Sequence, residues 1–361
     1  MSARDQELVY DDLSVLKNSK DKREMWQLMT TTLKDAISFS DLQRSERIGF
    51  IIFLIVCIVF PWIIKNAFAQ AVMIQFLIFC IYGMGWNLIG GYGGQVDLGA
   101  AKNVGFSAYT VVLFMIWWDI PFWISTPIGI LIATVESFIL GYPLFKLKGH
   151  YFAIATIAVT LVWQHIFIDW DAVGGAQGIE VPVKETPNCL YMQFSDPIYY
   201  HYFIFILALA AIFFMNWFRK SKLGYQLRGI NASEEIAESI GINIHWIKVK
   251  AYCISAVFAG FGGAFYAVYY QYIDPYSVLN LELSIMIALM TMIGGGGSMW
   301  GPLIGAAILV PLDRYLGAWF GDSGIIGIDF LIYSFTVMVV AAYEPRGIWG
   351  IIEKYRCKRK I

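Results

Sequence analysis

The sequence predicts an all-α protein that crosses a membrane about ten times, and three observations carry that expectation. Hydrophobic residues make up 58% of the chain and charged residues only 15%, whereas a soluble domain carries about 25% charged residues to cover its water-facing surface. The apolar residues are gathered into runs near the length of a bilayer crossing, about 20 residues, and the mean hydropathy is +0.60. Lysine and arginine, finally, collect in alternate connections between those runs.

The runs fall roughly at 48–64, 71–89, 104–118, 122–145, 149–168, 198–218, 251–273, 281–293, 302–319 and 325–343. The run from Leu281 to Ile293 is too short for a straight crossing before it meets Gly294-Gly295-Gly296-Gly297, so it predicts a broken or tilted helix. The division is then a polar N-terminal tail over 1–47 without a signal-peptide pattern, a transmembrane domain over 48–345, and a basic tail over 346–361.

Basic residues set the orientation. Arg44 and Arg47 precede the first run, Lys146 and Lys148 follow the fourth, and Arg219, Lys220, Lys222 and Arg228 follow the sixth. Arg346, Lys354, Arg356, Lys358, Arg359 and Lys360 follow the last, while Asp169, Asp171, Glu180, Glu185, Asp196 and Asp274 occupy the connections between. Positive loops stay inside, so both termini and the loop over 219–250 are expected in the cytoplasm. The external loop near 169–197, with Gly174-Gly175-Ala176-Gln177-Gly178, Pro182 and Pro187, is expected to be rich in turns.

Other chemistries find little support. Cys57, Cys80, Cys189, Cys253 and Cys357 are scattered, which argues against a disulfide frame or a zinc site. His150, His165, His201 and His245 lie near run ends without clustering, and no basic stripe with interleaved aromatics suggests nucleic acid. No GxxxxGK[ST] occurs, so the chain has no P-loop for ATP.

Inside the 219–250 loop, residues 231–240 read NASEEIAESI, followed by Gly241. Asn231 is a candidate N-cap, Glu234 could complete a capping box, and Gly241 supplies a left-handed stop. Ile236, Ala237 and Ile240 are expected to share one face, opposite Glu235, Glu238 and Ser239. So short a helix is marginal in water alone, and its acidic side suits anionic lipid poorly. It is therefore expected to pack on its own membrane domain or to dock on another subunit.

The glycine runs Gly90-Gly91-Tyr92-Gly93-Gly94-Gln95 and Gly294 to Gly297 with Ser298 interrupt helices. Non-helical backbone at membrane depth survives only where it lines a cavity or is buried in protein. Tyr92, Gly93, Gly94, Gln95, Asp97, Lys102, Gly295, Gly296, Gly297 and Ser298 are thus candidates for lining a solute path. Asp97 and Lys102 offer a carboxylate and an ammonium that could match a zwitterion or a polar amide, or lie at the cytoplasmic mouth. Glu136 is deep in its run, and Glu282, Asp313 and Arg314 are expected near span ends. Gly301 and Gly305, and Ala256, Gly260 and Ala264, have the spacing of helix-packing faces.

Four segments carry a family resemblance. Ser221-Lys222-Leu223-Gly224-Tyr225-Gln226-Leu227-Arg228-Gly229-Ile230 leads to Gly241-Ile242-Asn243; KLKGHYFAIATIAVT covers 146–160; GGGGSMWGPLIGAAIL covers 294–309; EPRGIWG covers 344–350. Together, over about 48–350, they resemble the branched-chain amino acid permease family of ABC importers. The resemblance implies a permease in the cytoplasmic (inner) membrane that pairs with a second homologous permease. It also implies two cytoplasmic ATPases, which alone use ATP, so that no cofactor binds this chain, and an extracytoplasmic substrate-binding protein. Gly224, Arg228, Asn231, Glu234, Ala237, Glu238 and Gly241 are the positions it marks for ATPase coupling. The chain departs from the family where it has Asp97, Ala100, Lys102 and Asn103. Two rivals stand beside this reading. An ion-coupled secondary transporter or channel would need no ATPase, and a membrane-embedded enzyme would need a catalytic constellation that the residues do not supply.

Overall fold

A computed structural model describes residues 44–184, 188–321 and 347–350. The chain divides into two units, 1–55 and 56–361. In the first, the described residues form the start of helix α1 (Arg44–Ile63), whose Ile48, Ile51, Ile52 and Ile55 are exposed.

In the second unit, short polar side chains start the helices by accepting otherwise unpaired backbone N–H groups. Asn66 opens α2 (Ala67–Asn87) and Asp196 opens α6 (Pro197–Phe218). Ser221 opens α7 (Lys222–Ala232), Ser233 opens α8 (Glu234–Ser239) and Asn243 opens α9 (Ile244–Tyr270). Asp274 and Ser277 form a reciprocal capping box on α10 (Pro275–Val278), and Asn280 opens α11 (Leu281–Gly295). The remaining helices are α3 (Ala101–Trp118), α4 (Phe122–Leu144), α5 (His150–Asp169) and α12 (Gly301–Gly321). Among the described residues, seven helical segments are long and apolar enough to cross a membrane. The protein is an all-α, multi-pass membrane protein; the run at 325–343 and most of both tails lie outside the described residues.

Three expectations are corrected. The cytoplasmic segment is two helices: α7 continues through Asn231 to Ala232, and Ser233, not Asn231, caps α8 by accepting from Ile236 N–H. α9 begins at Ile244, ahead of the apolar run, because Lys248 is buried against a carboxylate and so extends the helix. Asp313 and Arg314 lie well inside α12 rather than near its end. The break before Leu281 is present, as the short α10 followed by Leu279 and Asn280.

The core is built on α2, α3, α4 and α9, where small residues let backbones meet. Ser107 of α3 donates to the Gly260 carbonyl at 2.8 Å, and a Cβ on Gly263 would run into the Val104 carbonyl. A Cβ on Gly305 would strike the Met290 carbonyl, so the α11–α12 hairpin closes backbone to backbone. At one end of the bundle the connections are turns and hairpins. Two 3-10 turns hold Gly174 and Gly175 at positive φ, and Ile179–Glu180 (β1) pairs antiparallel with Tyr272–Ile273 (β2). At the same end Phe122 N–H donates to the Leu190 carbonyl and Lys184 pairs with Asp119.

Candidate functional site

The opposite end of the bundle gathers the glycine runs, the α7–α8 pair and the motif segments of the sequence around residues 87–99. α2 ends in a π-helical turn, Leu88–Tyr92, which carries Gly90 and Gly91. A Cβ on Gly91 would collide with Asn87 Oδ1 and with the Gly297 nitrogen. The two runs thus meet backbone to backbone. Asn87, fully buried, binds the second run at two points: its Nδ2 donates to the Ser298 carbonyl at 2.7 Å, and Gly297 N–H donates to its Oδ1 at 2.8 Å. α11 stays helical through Gly295, so the second break comes at Gly296. Gly347, with φ 72°, backs directly onto Gly295.

The cytoplasmic helices are bonded to the first run. Asn231 Nδ2 donates to the Gly91 carbonyl at 3.2 Å, and its Oδ1 fills the space beside Gly94, whose φ is 67°. Gln95 Nε2 donates to Glu234 Oε1 at 3.5 Å, and the same oxygen pairs with Lys248 at 2.5 Å. The Arg228 guanidinium lies 4.9 Å from the centre of the buried Tyr92 ring, a cation–π contact. Gly93 packs on Leu227, and Gly224 fits against the Phe218 carbonyl at the α6–α7 corner.

α8 therefore presents faces other than those read from its sequence. Ala237 is buried, and Glu234 points inward to Lys248 and Gln95. Ile236 and Ile240 are exposed, beside the exposed Glu235 and Glu238. Gly241, at φ 83°, ends the helix, and Ile242 N–H donates back to the Ala237 carbonyl at 3.1 Å, as the left-handed stop requires.

Asp97 and Lys102 do not pair. Asp97 is buried with its carboxylate accepting from Gly99 N–H at 2.9 Å, while its backbone carbonyl accepts from Trp86 Nε1 at 2.6 Å. The next residue, Leu98, donates to Thr156 Oγ1 at 3.1 Å, which ties the segment to the 146–160 motif. Lys102, fully buried, forms an ion pair with Glu136 of α4. Its ammonium also donates to Asn103 Oδ1 at 2.9 Å and Ser137 Oγ at 3.2 Å, so all three protons are engaged. Trp163 Nε1 donates to the other Glu136 oxygen at 3.0 Å.

Sequence reasoning passed over Asn87, Thr156 and Lys248. An asparagine inside an apolar run was the available signal for the first, because a buried amide needs partners.

A sequence model of the family described as the branched-chain amino acid transport system permease component matches residues 68–342. The chain is 24% identical over 325 residues to the high-affinity branched-chain amino acid transport system permease protein LivM of Escherichia coli K12, spanning 84% of this chain and 75% of that protein. It is 22% identical over 240 residues to a probable branched-chain amino acid transport permease protein LivM of Methanocaldococcus jannaschii, spanning 61% and 67%. The autoinducer 2 import system permease protein LsrC of Escherichia coli is 21% identical over 193 residues, 50% of this chain and 54% of that one. No solved structure matches the chain. With the family pattern running over well more than half its length, and its motif segments folded against one another, this chain belongs to the permease components of branched-chain amino acid transport systems.

Proposed function

We propose that this chain forms, together with a second homologous permease, the translocation path of an ABC importer for branched-chain amino acids. The names of the LivM relatives support the substrate class. Two cytoplasmic ATPases drive the cycle and a binding protein delivers solute from outside, so this chain needs no cofactor and performs no covalent chemistry. Ten crossings with both termini in the cytoplasm fit the placement of lysine and arginine.

The observation that carries the mechanism is the joint between α7–α8 and the glycine break. An ATPase seated on α8 would meet Ile236 and Ile240, 66% and 71% exposed, flanked by Glu235 and Glu238. Displacement of α8 passes through Glu234 to Gln95 and Lys248, and displacement of α7 passes through Asn231 to Gly91. Tyr92, Gly93, Gly94 and Gln95 then act with Gly295 to Ser298 as the cytoplasmic gate of the path. Asp97 and Lys102 hold that end together and do not meet solute. Such motion is a shift between two packed arrangements biased by the ATPase.

The test is Ile236→Asp with Ile240→Asp in the full chain. Both side chains are exposed, so folding is expected to persist, while co-purification with the ATPase falls and ATP-driven uptake of L-leucine in proteoliposomes is lost. Undiminished co-purification and uptake would refute the docking role, and L-leucine uptake by the purified chain without an ATPase would refute the importer reading.

A further inference from the structure

The corner where α4 ends and α9 begins carries an exposed patch whose depth in the membrane can be placed. Trp123 and Tyr142 frame α4 and are 48% and 43% exposed. Their spacing sets them about 28 Å apart along the helix, close to the thickness of a hydrocarbon core, about 30 Å. Tryptophan and tyrosine gather at membrane boundaries, so Tyr142 marks the boundary at the end where Lys146 and Lys148 follow. Trp246, in the first turn of α9, joins it there: its ring lies 5.8 Å from that of Tyr142 and stacks at 6.4 Å on that of Phe138. All three rings are exposed.

Charge at this depth is the second observation. The Lys146 ammonium lies 5.3 Å from the centre of the Tyr142 ring, a cation–π contact, so it folds back over the belt instead of reaching into water. Lys250 is exposed and stands one turn beyond Trp246 on the same face of α9. Helical side chains lean toward the helix start, and lysine snorkels to the boundary, so its ammonium returns to the level of Trp246. Among the described residues neither lysine pairs with a carboxylate, and neither 142–150 nor 243–250 contains aspartate or glutamate. The contrast with other lysines is plain: Lys184 at the turn end pairs with Asp119, and Lys248 pairs with Glu234. Two ammoniums at one depth repel each other and together attract an anion placed between them. The start of α9 adds the positive end of a long helix.

We infer that this corner binds an anionic phospholipid. The phosphate sits between Lys146 and Lys250, the Trp246 indole N–H and the Tyr142 hydroxyl donate at the level of the glycerol esters, and an acyl chain lies along Phe138. The inference is independent of the solute and the partner subunits proposed above. The acidic side of α8 repels such a lipid, so the chain turns one surface to protein and another to the membrane.

The test uses the purified full chain in detergent and reads retained lipid by native mass spectrometry, titrating dioleoyl phosphatidylglycerol against dioleoyl phosphatidylcholine. Wild type should hold the first and not the second, and the first alone should raise its thermal midpoint. Lys146→Gln and Lys250→Gln should each weaken retention about fivefold, and together about twenty-five-fold, with the midpoint in lipid-free detergent unchanged. Arginine at both positions should restore retention. Lys222→Gln, the same charge change at the start of α7, should leave it as in wild type. Wild-type retention in both single glutamine variants overturns the site, and these decide if the double variant fails to fold. Equal retention of the two lipids, or an equal loss in Lys222→Gln, reveals a general attraction and also overturns it. Inorganic phosphate and glycerol 3-phosphate should leave the midpoint unmoved; a shift as large as that from phosphatidylglycerol would make this a site for soluble anions and end the lipid assignment. Loss of the lipid when the chain is assembled with a second permease would make the corner a subunit interface, which ends it as well.

Discussion

At the glycine end of the bundle, segments far apart in the chain touch backbone to backbone, and Asn87 and Asp97 are buried against named partners. At the opposite end, turns, a two-residue β pair and exposed side chains close the connections. The same chemistry appears at both. Lys102 and Glu136 form a lysine–carboxylate pair in the packed interior behind the glycine end, and Lys184 and Asp119 form one at the turn end, 2.6 Å apart. The first pair is almost wholly buried, whereas the side chains of the second are 35% and 63% exposed. Solvent decides what each is worth. A buried pair does not necessarily add stability over an apolar pair, yet removing one member leaves a charge with nothing to answer it. An exposed pair is screened and contributes little.

The largest effect should follow from breaking the buried pair. Glu136→Leu leaves the Lys102 ammonium uncompensated and should lower stability by about 3–5 kcal/mol, read as loss of the folded protein in detergent during thermal unfolding. The double variant with Lys102→Met should recover most of it; if it does not, the pair is more than mutually compensating. Next comes Gly91→Ala, whose methyl group has to displace Asn87 or the second glycine run. Overpacking of this kind costs about 1–3 kcal/mol, and an unchanged thermal midpoint would show that the runs part easily. Glu234→Gln should leave the fold intact while uncoupling ATP hydrolysis from uptake, because Lys248 and Gln95 lose their common carboxylate; wild-type coupling would remove that link from the mechanism.

The smallest effect belongs to the exposed pair. The hydrogen bond from Lys184 holds the Asp119 carboxyl below its ordinary value, and the same bond raises the Lys184 ammonium. Asp119 therefore contributes above the unfolded carboxylate value, near pH 3.9, and the contribution fades as pH falls through its lowered value. Asp119→Asn should leave the thermal midpoint at neutral pH unchanged. It should remove only a small sensitivity at strongly acidic pH; a clear loss at neutral pH would mean that the turn end is more tightly built than its exposure implies.

Much of the architecture was legible because helix length and cap chemistry are local. Gly241 stands where the sequence suggests a stop, and the broken segment at Leu281 and the interruption at Gly296 follow from short apolar length and glycine. What could not be read is who meets whom. Asp97 and Lys102 are close in sequence and look like a pair, but the ammonium turns to Glu136, a partner 34 residues away that only the crossing of α3 and α4 supplies. Asn231 has the chemistry of a cap, yet Ser233 takes that role and frees the Asn231 amide to reach Gly91. The start of α9 was hidden for the same reason: Lys248 reads as a polar loop residue until Glu234 is seen beside it.

The Asn87 carboxamide uses both of its ends on a loop 210 and 211 residues further along. Two bonds from one planar group fix orientation as well as distance. The end of α2 and the loop after α11 are therefore fastened as one block, with no single bond to turn about. Any cycle that alternately exposes the interior would have to carry this block as a unit.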